Sequence, residues 1–182
     1  MAAGLHSCKA TSAAQREIWT APLDLKDPEQ PRTGSPELFA SDADDPAFSP
    51  DGRWIAYTFY EPQGPQVFVR PFPGGPSAGK WQVSMAGRFP VWARNGRELF
   101  FLSQDNHLMV AGCEAKGDRF AADPSRRWAP IEIARTGNFR SFDLAADGRV
   151  IAFPVRADAT EASSVHVTVL LNFFDELKRR MP

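Results

Sequence analysis

The sequence predicts an all-β chain assembled from one repeated antiparallel unit, and two observations carry that reading. The first is a turn that occurs three times. Ser49-Pro50-Asp51-Gly52-Arg53 has strand-like apolar runs on both sides, and its frame returns at Ala93-Arg94-Asn95-Gly96-Arg97 and at Ala145-Ala146-Asp147-Gly148-Arg149. Asp51-Gly52, Asn95-Gly96 and Asp147-Gly148 are hairpin signals, because glycine takes the left-handed backbone conformation of such turns without steric cost. The turn glycines lie 44 and then 52 residues apart, which marks a repeat. The second observation is the strand after each turn. Ile55 and Tyr57 face away from Trp54 and Ala56, Leu99 and Phe101 away from Phe100 and Leu102, Ile151 and Phe153 away from Val150 and Ala152, and both faces are apolar. A sheet with one wet face alternates apolar and polar residues instead. Four-stranded units buried on both faces are the blades of a propeller, each packed between two neighbours. The expected architecture is a partial β-propeller of about three to three and a half four-stranded antiparallel blades.

Taken in order, residues 1–15 read as an unstructured amino-terminal segment. Glu17 to Leu23 and Glu37 to Ala40 are strands separated by a polar, proline-rich stretch, and they resemble the second half of a unit without its first. The first complete unit has Pro46-Ala47-Phe48, Trp54 to Phe59, Val67 to Arg70 and Trp81 to Ser84 as its four strands. The next has Pro90 to Trp92, Glu98 to Leu102, Leu108 to Ala111 and, after a longer loop, Ile131 to Ile133. The last has Ser141 to Leu144, Val150 to Val155 and Val165 to Leu171. The propeller thus covers residues 16–172, and 173–182 is a short tail able to form one or two helical turns.

Composition removes several classes of function. The chain has 182 residues and a formal net charge of −1, so it offers no overall field suited to nucleic acid or anionic lipid. Fourteen Phe and five Trp supply core, while sixteen Pro and thirteen Gly speak for turns over long helices. The longest apolar run, Val165 to Phe174, is about half of what a helix needs to span a bilayer, so membrane insertion is not expected. The first residues lack a basic and then apolar stretch, and as written the chain reads as cytoplasmic. Cys8 and Cys113 are far apart and without metal-ligand spacing, so both read as free thiols.

The stretch Asp45-Pro46-Ala47-Phe48-Ser49-Pro50-Asp51-Gly52-Arg53-Trp54-Ile55-Ala56-Tyr57 resembles the WD-like repeat of TolB-type β-propellers. Val69-Arg70-Pro71-Phe72-Pro73-Gly74-Gly75, with Lys80 to Ser84 and Gly96 to Phe101, is similar to the carboxy-terminal propeller fused to some bacterial serine/threonine protein kinases. The resemblance covers about Glu17 to Arg180. It implies a non-catalytic binding or sensing module within a larger protein, facing the periplasm if the family's usual arrangement applies, with a protein or peptide ligand. The alternative it implies is the substrate-gating propeller of a prolyl-oligopeptidase-like peptidase. Fold alone decides neither.

Two catalytic patterns share one loop. Gly75-Pro76-Ser77-Ala78-Gly79 matches a nucleophile elbow, but an elbow needs a strand before it and a helix after it, and Trp81-Gln82-Val83 is β-like. Gly74 to Lys80 matches the start of a phosphate-binding loop, yet Trp81 stands where a magnesium-binding hydroxyl belongs. His6, His107 and His166 are isolated, and no His, Cys and carboxylate cluster suggests a metal. The expectation is therefore no catalytic residue, no cofactor and no metal. Asp42, Asp44 and Asp45 fall on the loop leading into an innermost strand, near the channel mouth, where carboxylates suit a cation or basic peptide. Arg53, Arg97 and Arg149 follow the turn glycine each time, which makes a structural role the expectation. Because so few blades cannot close, the open faces around Trp19 and Ile151 are expected to be apolar and to invite a second copy.

Overall fold

The computed structural model describes residues 4–8, 16–27, 30–74, 77–134 and 136–155, with side chains from residue 16 onward. All regular structure among them is β. In the first sheet, β1 (Gly4–Cys8) and β4 (Glu37–Ser41) flank β2 (Glu17–Asp24), and the two-residue β3 (Arg32–Thr33) pairs with the end of β2 at Leu23 and Asp24. The second is a four-stranded meander of β5 (Ala43–Phe48), β6 (Trp54–Glu61), β7 (Gly64–Pro71) and β8 (Trp81–Ser84). The third runs β9 (Arg88–Trp92), β10 (Glu98–Leu102), β11 (His107–Lys116) and β13 (Arg126–Glu132), with β12 (Arg119–Ala122) folded back on the far half of β11. Of the fourth, β14 (Phe142–Leu144) and β15 (Val150–Ala152) are described.

The expected order of strands holds, and the departures have physical causes. Gly4–Cys8 lies in the segment expected to be unstructured, yet it pairs along Ile18–Pro22, where β2 would otherwise offer a bare edge of donors and acceptors. The expected longer loop after Ala111 contains a hairpin instead. β11 runs on to Lys116, turns at Gly117 (φ +59°) and returns as β12, its polar side chains exposed so that no apolar alternation announces it. β5 and β9 each begin earlier than expected, because each carries a bulge. Between Asp44 and Ala47, β5 has one residue more than β6 opposite, and between Arg88 and Val91, β9 has one more than β10. The extra residue in each case takes a left-handed φ, Asp45 at 52° and Phe89 at 58°. The expected strand Val165–Leu171 and the tail 173–182 lie outside the described residues.

The middle strands divide their side chains between two cores, as the two-sided pattern predicts. Trp54 and Ala56 of β6 face Leu99 and Phe101 of β10, with Val67, Val69, Trp92 and Phe120 around them. Ile55 and Tyr57, on the other face of β6, meet Ile18, Phe39 and Ala40 of the first sheet. Phe100 and Leu102 of β10 turn the opposite way, toward Phe142 of β14 and Ile133. The second and third sheets are therefore each a layer between two others. The array is a partial propeller.

The repeated turn is held by the same bonds in each copy. Gly52, Gly96 and Gly148 have φ of 69°, 67° and 85°, and their N–H groups donate to Ser49, Ala93 and Ala145 at 2.8, 2.9 and 3.1 Å. One residue earlier, the Oδ1 atoms of Asp51, Asn95 and Asp147 accept from the N–H of Arg53, Arg97 and Arg149. A Cβ at Gly52 or Gly148 would meet nothing within 4 Å, so backbone conformation alone makes glycine necessary there. Replacing Gly52 or Gly148 with valine is expected to cost more than about 1 kcal/mol, read as a lowered denaturation midpoint, whereas parental stability would remove the left-handed turn.

On the fourth sheet and beside it, Ile151 of β15 and the flanking Phe139 and Phe153 are 68, 77 and 63% exposed. Trp19 differs from expectation: it is half-buried, its indole N–H donating to Glu17. The purified 182-residue chain is expected to self-associate, and light scattering that finds a monomer melting cooperatively near 20 kDa would contradict this.

Candidate functional site

The inner strand β5 carries polar chemistry at both ends. At its start stand the three aspartates singled out by the sequence, and the structure separates their roles. Asp42 is exposed at φ 52°, its carbonyl accepting from the Tyr60 N–H at 2.8 Å. Asp44 accepts from the Asp45 N–H at 2.8 Å and lies 3.6 Å from Arg16, whose guanidinium covers the Tyr60 ring at 4.1 Å. Asp45 is turned inward by the bulge. Its Oδ2 accepts from the Thr58 hydroxyl at 2.9 Å, and the Thr58 oxygen accepts from the Phe89 N–H at 3.2 Å. Thr58 is fully buried, so this relay links β5 and β6 to β9 in the next sheet. Asp44 and Asp45 thus belong to the strand, whereas the sequence places them on the loop before it.

Burial pushes the Asp45 carboxyl up from 3.8 to about 6, with the charge of Asp44 adding to it; Thr58, the Phe89 N–H and the Arg88 charge pull the other way. Burial likewise raises the Tyr60 hydroxyl. Among the described residues, no three His, Cys, Asp or Glu side chains are placed to share a metal ion.

At the other end of β5, two of the repeated turns and β11 enclose a cavity of about 830 Å³. One wall is the Ser49–Asp51 turn with Trp54, the second is Trp92 with the turn from Arg94 to Arg97, and the third is Cys113 to Lys116. The turns are close neighbours, since a Cβ at Gly96 would lie 3.8 Å from Cδ of Pro50. Arg53 closes the rim by donating to the Gly117 carbonyl at 3.0 Å, and Cys113 N–H ties β11 to the Arg97 carbonyl at 2.8 Å. That gives Arg53 the structural part expected of it. Arg149 is held by Asp147 at 2.7 Å, whereas Arg97 lines the cavity.

The acids of this end are engaged. Partial burial works against the Asp51 carboxylate, but the Ser49 hydroxyl at 2.6 Å and the N–H and charge of Arg53 hold it below the usual range. Glu114 pairs with Lys116 at 2.6 Å, an exposed contact of little energetic weight. The Cys113 thiol is pushed up to about 12, chiefly by burial and then by Asp123, so it is no ready nucleophile. Asp51, Asn95 and Gly96 line the cavity, while Asp147 and Gly148 serve their own hairpin in the fourth sheet. Sequence reasoning missed the cavity because its first wall lies 38 to 67 residues before the other two and meets them only through blade stacking.

Ser77 is exposed, and Lys80 lies over the rings of Phe59 and Phe68 at 4.1 and 4.5 Å. The strand β8 follows them, where either catalytic pattern needs a helix. His107 Nδ1 lies 3.0 Å from Asp105, which also binds Arg127 at 2.8 Å. The side chains of His6 and His166 lie outside the described residues.

No family model matches the chain, and no curated protein matches it. Among solved structures it is similar to TolB from Acinetobacter baumannii, with a TM-score of 0.54 and 15% identity over 82% of this chain. The fold is TolB-like. The chain spans 34% of the length of that TolB. It is also similar to an acylaminoacyl peptidase solved with a chloromethyl ketone (TM-score 0.32, 18% identity, 63% of this chain and 18% of that one). A third similarity is to the acylaminoacyl peptidase of Pyrococcus horikoshii (0.34, 21%, 64% and 16%).

The Asp45 relay makes stability depend on pH in a definite direction. The folded chain holds the Asp45 proton up to about pH 6, and the unfolded chain only to 3.8. The favourable protonated contact is complete below pH 4 and is lost as pH rises through 6. Asp45→Asn keeps an acceptor for Thr58 without the charge. It is expected to match the parent near pH 4 and exceed it by about 1–3 kcal/mol at pH 7.5 in urea denaturation. Parallel stability curves across that range would disprove the relay.

Proposed function

We propose that this TolB-like partial propeller is a non-catalytic binding module of a larger protein, with a peptide or another protein as its ligand. The observation that carries this reading is the fate of the loop holding both catalytic patterns. It joins two strands of one blade, and its lysine is spent on two aromatic rings. A cation held over aromatic faces is stabilised where it stands and is not presented to a phosphate. Ser77, for its part, has no hydrogen bond to a histidine or carboxylate among the described residues, so nothing there draws off its proton.

The larger protein we infer is a bacterial receptor-like serine/threonine kinase, from the resemblance of residues 69–75, 80–84 and 96–101 to the propellers of those enzymes. Coding sequence for a kinase domain upstream supports this context. A downstream hydrolase domain would instead favour a propeller that gates a peptidase. The absence of catalysis is read directly on the purified chain. Ester hydrolysis, ATP hydrolysis and phosphoryl transfer are expected to stay at the blank rate, unchanged by Ser77→Ala or Lys80→Ala. Turnover that disappears in either variant would overturn the reading.

A further inference from the structure

The cavity between the first two repeated turns has features that its role in blade stacking does not need. Its volume of about 830 Å³ falls within the ~300–1,000 Å³ usual for small-molecule sites. Its charges are unevenly matched. Asp51 and Glu114 are already bound to Ser49, Arg53 and Lys116, as described above. Arg94 and Arg97, three positions apart on one turn and both exposed, form no ion pair with any described residue. Two guanidiniums set on a turn that the backbone holds rigidly are a ready receptor for an oxyanion, which accepts two N–H bonds from each fork.

The walls supply the other half of a site. Trp54 and Trp92 both line the cavity, and their indole N–H groups differ. That of Trp92 donates to the Ala47 carbonyl at 3.2 Å. That of Trp54, a residue only 2% exposed, has no acceptor among the described residues. A buried donor without a partner costs about 1–3 kcal/mol, so a ligand acceptor that reaches it, with the small side-chain shift that uncovers this buried atom, is rewarded. Aromatic walls, an idle buried donor and two unpaired guanidiniums on the rim select one kind of molecule.

We propose that this cavity binds a small organic oxyanion: a carboxylate or phosphate held by Arg94 and Arg97, on an apolar body that reaches the indoles and offers an acceptor to Trp54. The reading of the chain as a non-catalytic propeller module does not depend on this cavity, and the turnover assays decide that reading separately.

The test uses the whole chain and three probes: N-acetylphenylalanine, its neutral amide, and phenyl phosphate. In calorimetric titration N-acetylphenylalanine is expected to bind about tenfold tighter than the amide, and the preference to shrink as salt is raised. Phenyl phosphate tests the anion without the acceptor: binding equal to that of N-acetylphenylalanine makes the site a phosphate site, and weaker binding a carboxylate site. The double variant Arg94→Gln/Arg97→Gln, altered only at exposed side chains, is expected to melt with the parent and to bind acid and amide alike. In parallel, the Trp54 indole N–H resonance, assigned by its loss in Trp54→Phe, is expected to shift as N-acetylphenylalanine saturates the parent chain. Equal affinity for acid and amide, a preference that survives in the double variant, an unmoved Trp54 resonance, or no saturable binding of any probe would each overturn the proposal.

Discussion

The structure depends on the middle strands of the second and third sheets being buried on both faces. Trp54 and Ile55 are neighbours in sequence and belong to different cores, as do Leu99 and Phe100. A large apolar side chain gains about 1.5–3 kcal/mol on full burial, so a blade without neighbours forfeits roughly half of what its middle strand contributes. The three cores all lie between sheets, so stability runs from each layer to the next as in other repeat arrays. The aromatic residues concentrate at these boundaries: Trp54 meets both Trp81 and Phe120 at about 5.5 Å, and Phe39 meets Tyr57 edge-on at 6.1 Å. Arg70 also crosses a boundary, from β7 to the Phe39 carbonyl of β4.

Between the layers, backbone geometry is repeated more faithfully than side-chain chemistry. Phe89 stands 44 residues after Asp45, the interval that separates Gly96 from Gly52, and both residues form the same left-handed bulge ahead of a proline. Such a φ at a residue with a Cβ costs of order 1–3 kcal/mol and must be compensated. The compensation joins the two bulges, because the Thr58 hydroxyl bonds the Asp45 carboxyl on one side and the Phe89 N–H on the other. The bulge aims each inner strand at the next blade, and the relay fixes that aim. The turns show the same economy. Ser103, Asp105 and Asn106 repeat the bonds of Ser49, Asp51 and Gly52 at a position inside the third sheet, with Asn106 at φ 60° in the place of glycine.

How far the sequence discloses this follows from the range over which each feature is encoded. The Asp-Gly and Asn-Gly turns and the two-sided strands are local, and they lead directly to the propeller and the strand order. The β11–β12 hairpin is local too, but Glu114 to Arg119 is polar because it stands in solvent, so no apolar period marks it. The Ser103–Asn106 turn hides because asparagine does the work that glycine does elsewhere. The aspartates were legible as a group at the entry to the inner strand, although the sequence puts them on the loop before it and not in the strand. That Asp45 is spent internally was not, since its partner lies 13 residues away and the next bond is in another blade. The cavity is the extreme case, as it exists only once the Ser49–Trp54 segment of one blade is stacked on the next.

The two ends of β5 differ in what remains free to bind. At the start of the strand, charge is engaged from within, by Arg16 against Asp44 and by the Thr58 hydroxyl against Asp45, which protonation neutralises below about pH 6. A basic ligand there would compete with contacts the fold already needs. At the far end, backbone N–H groups and the Asx oxygens of residues 51 and 95 hold the turns, and the arginine side chains beyond them hold nothing up except Arg53. Arg94 and Arg97 can therefore serve a ligand without loosening a blade. Where the backbone carries the structure, the side chains are released for recognition, and in this chain that condition is met at the turns.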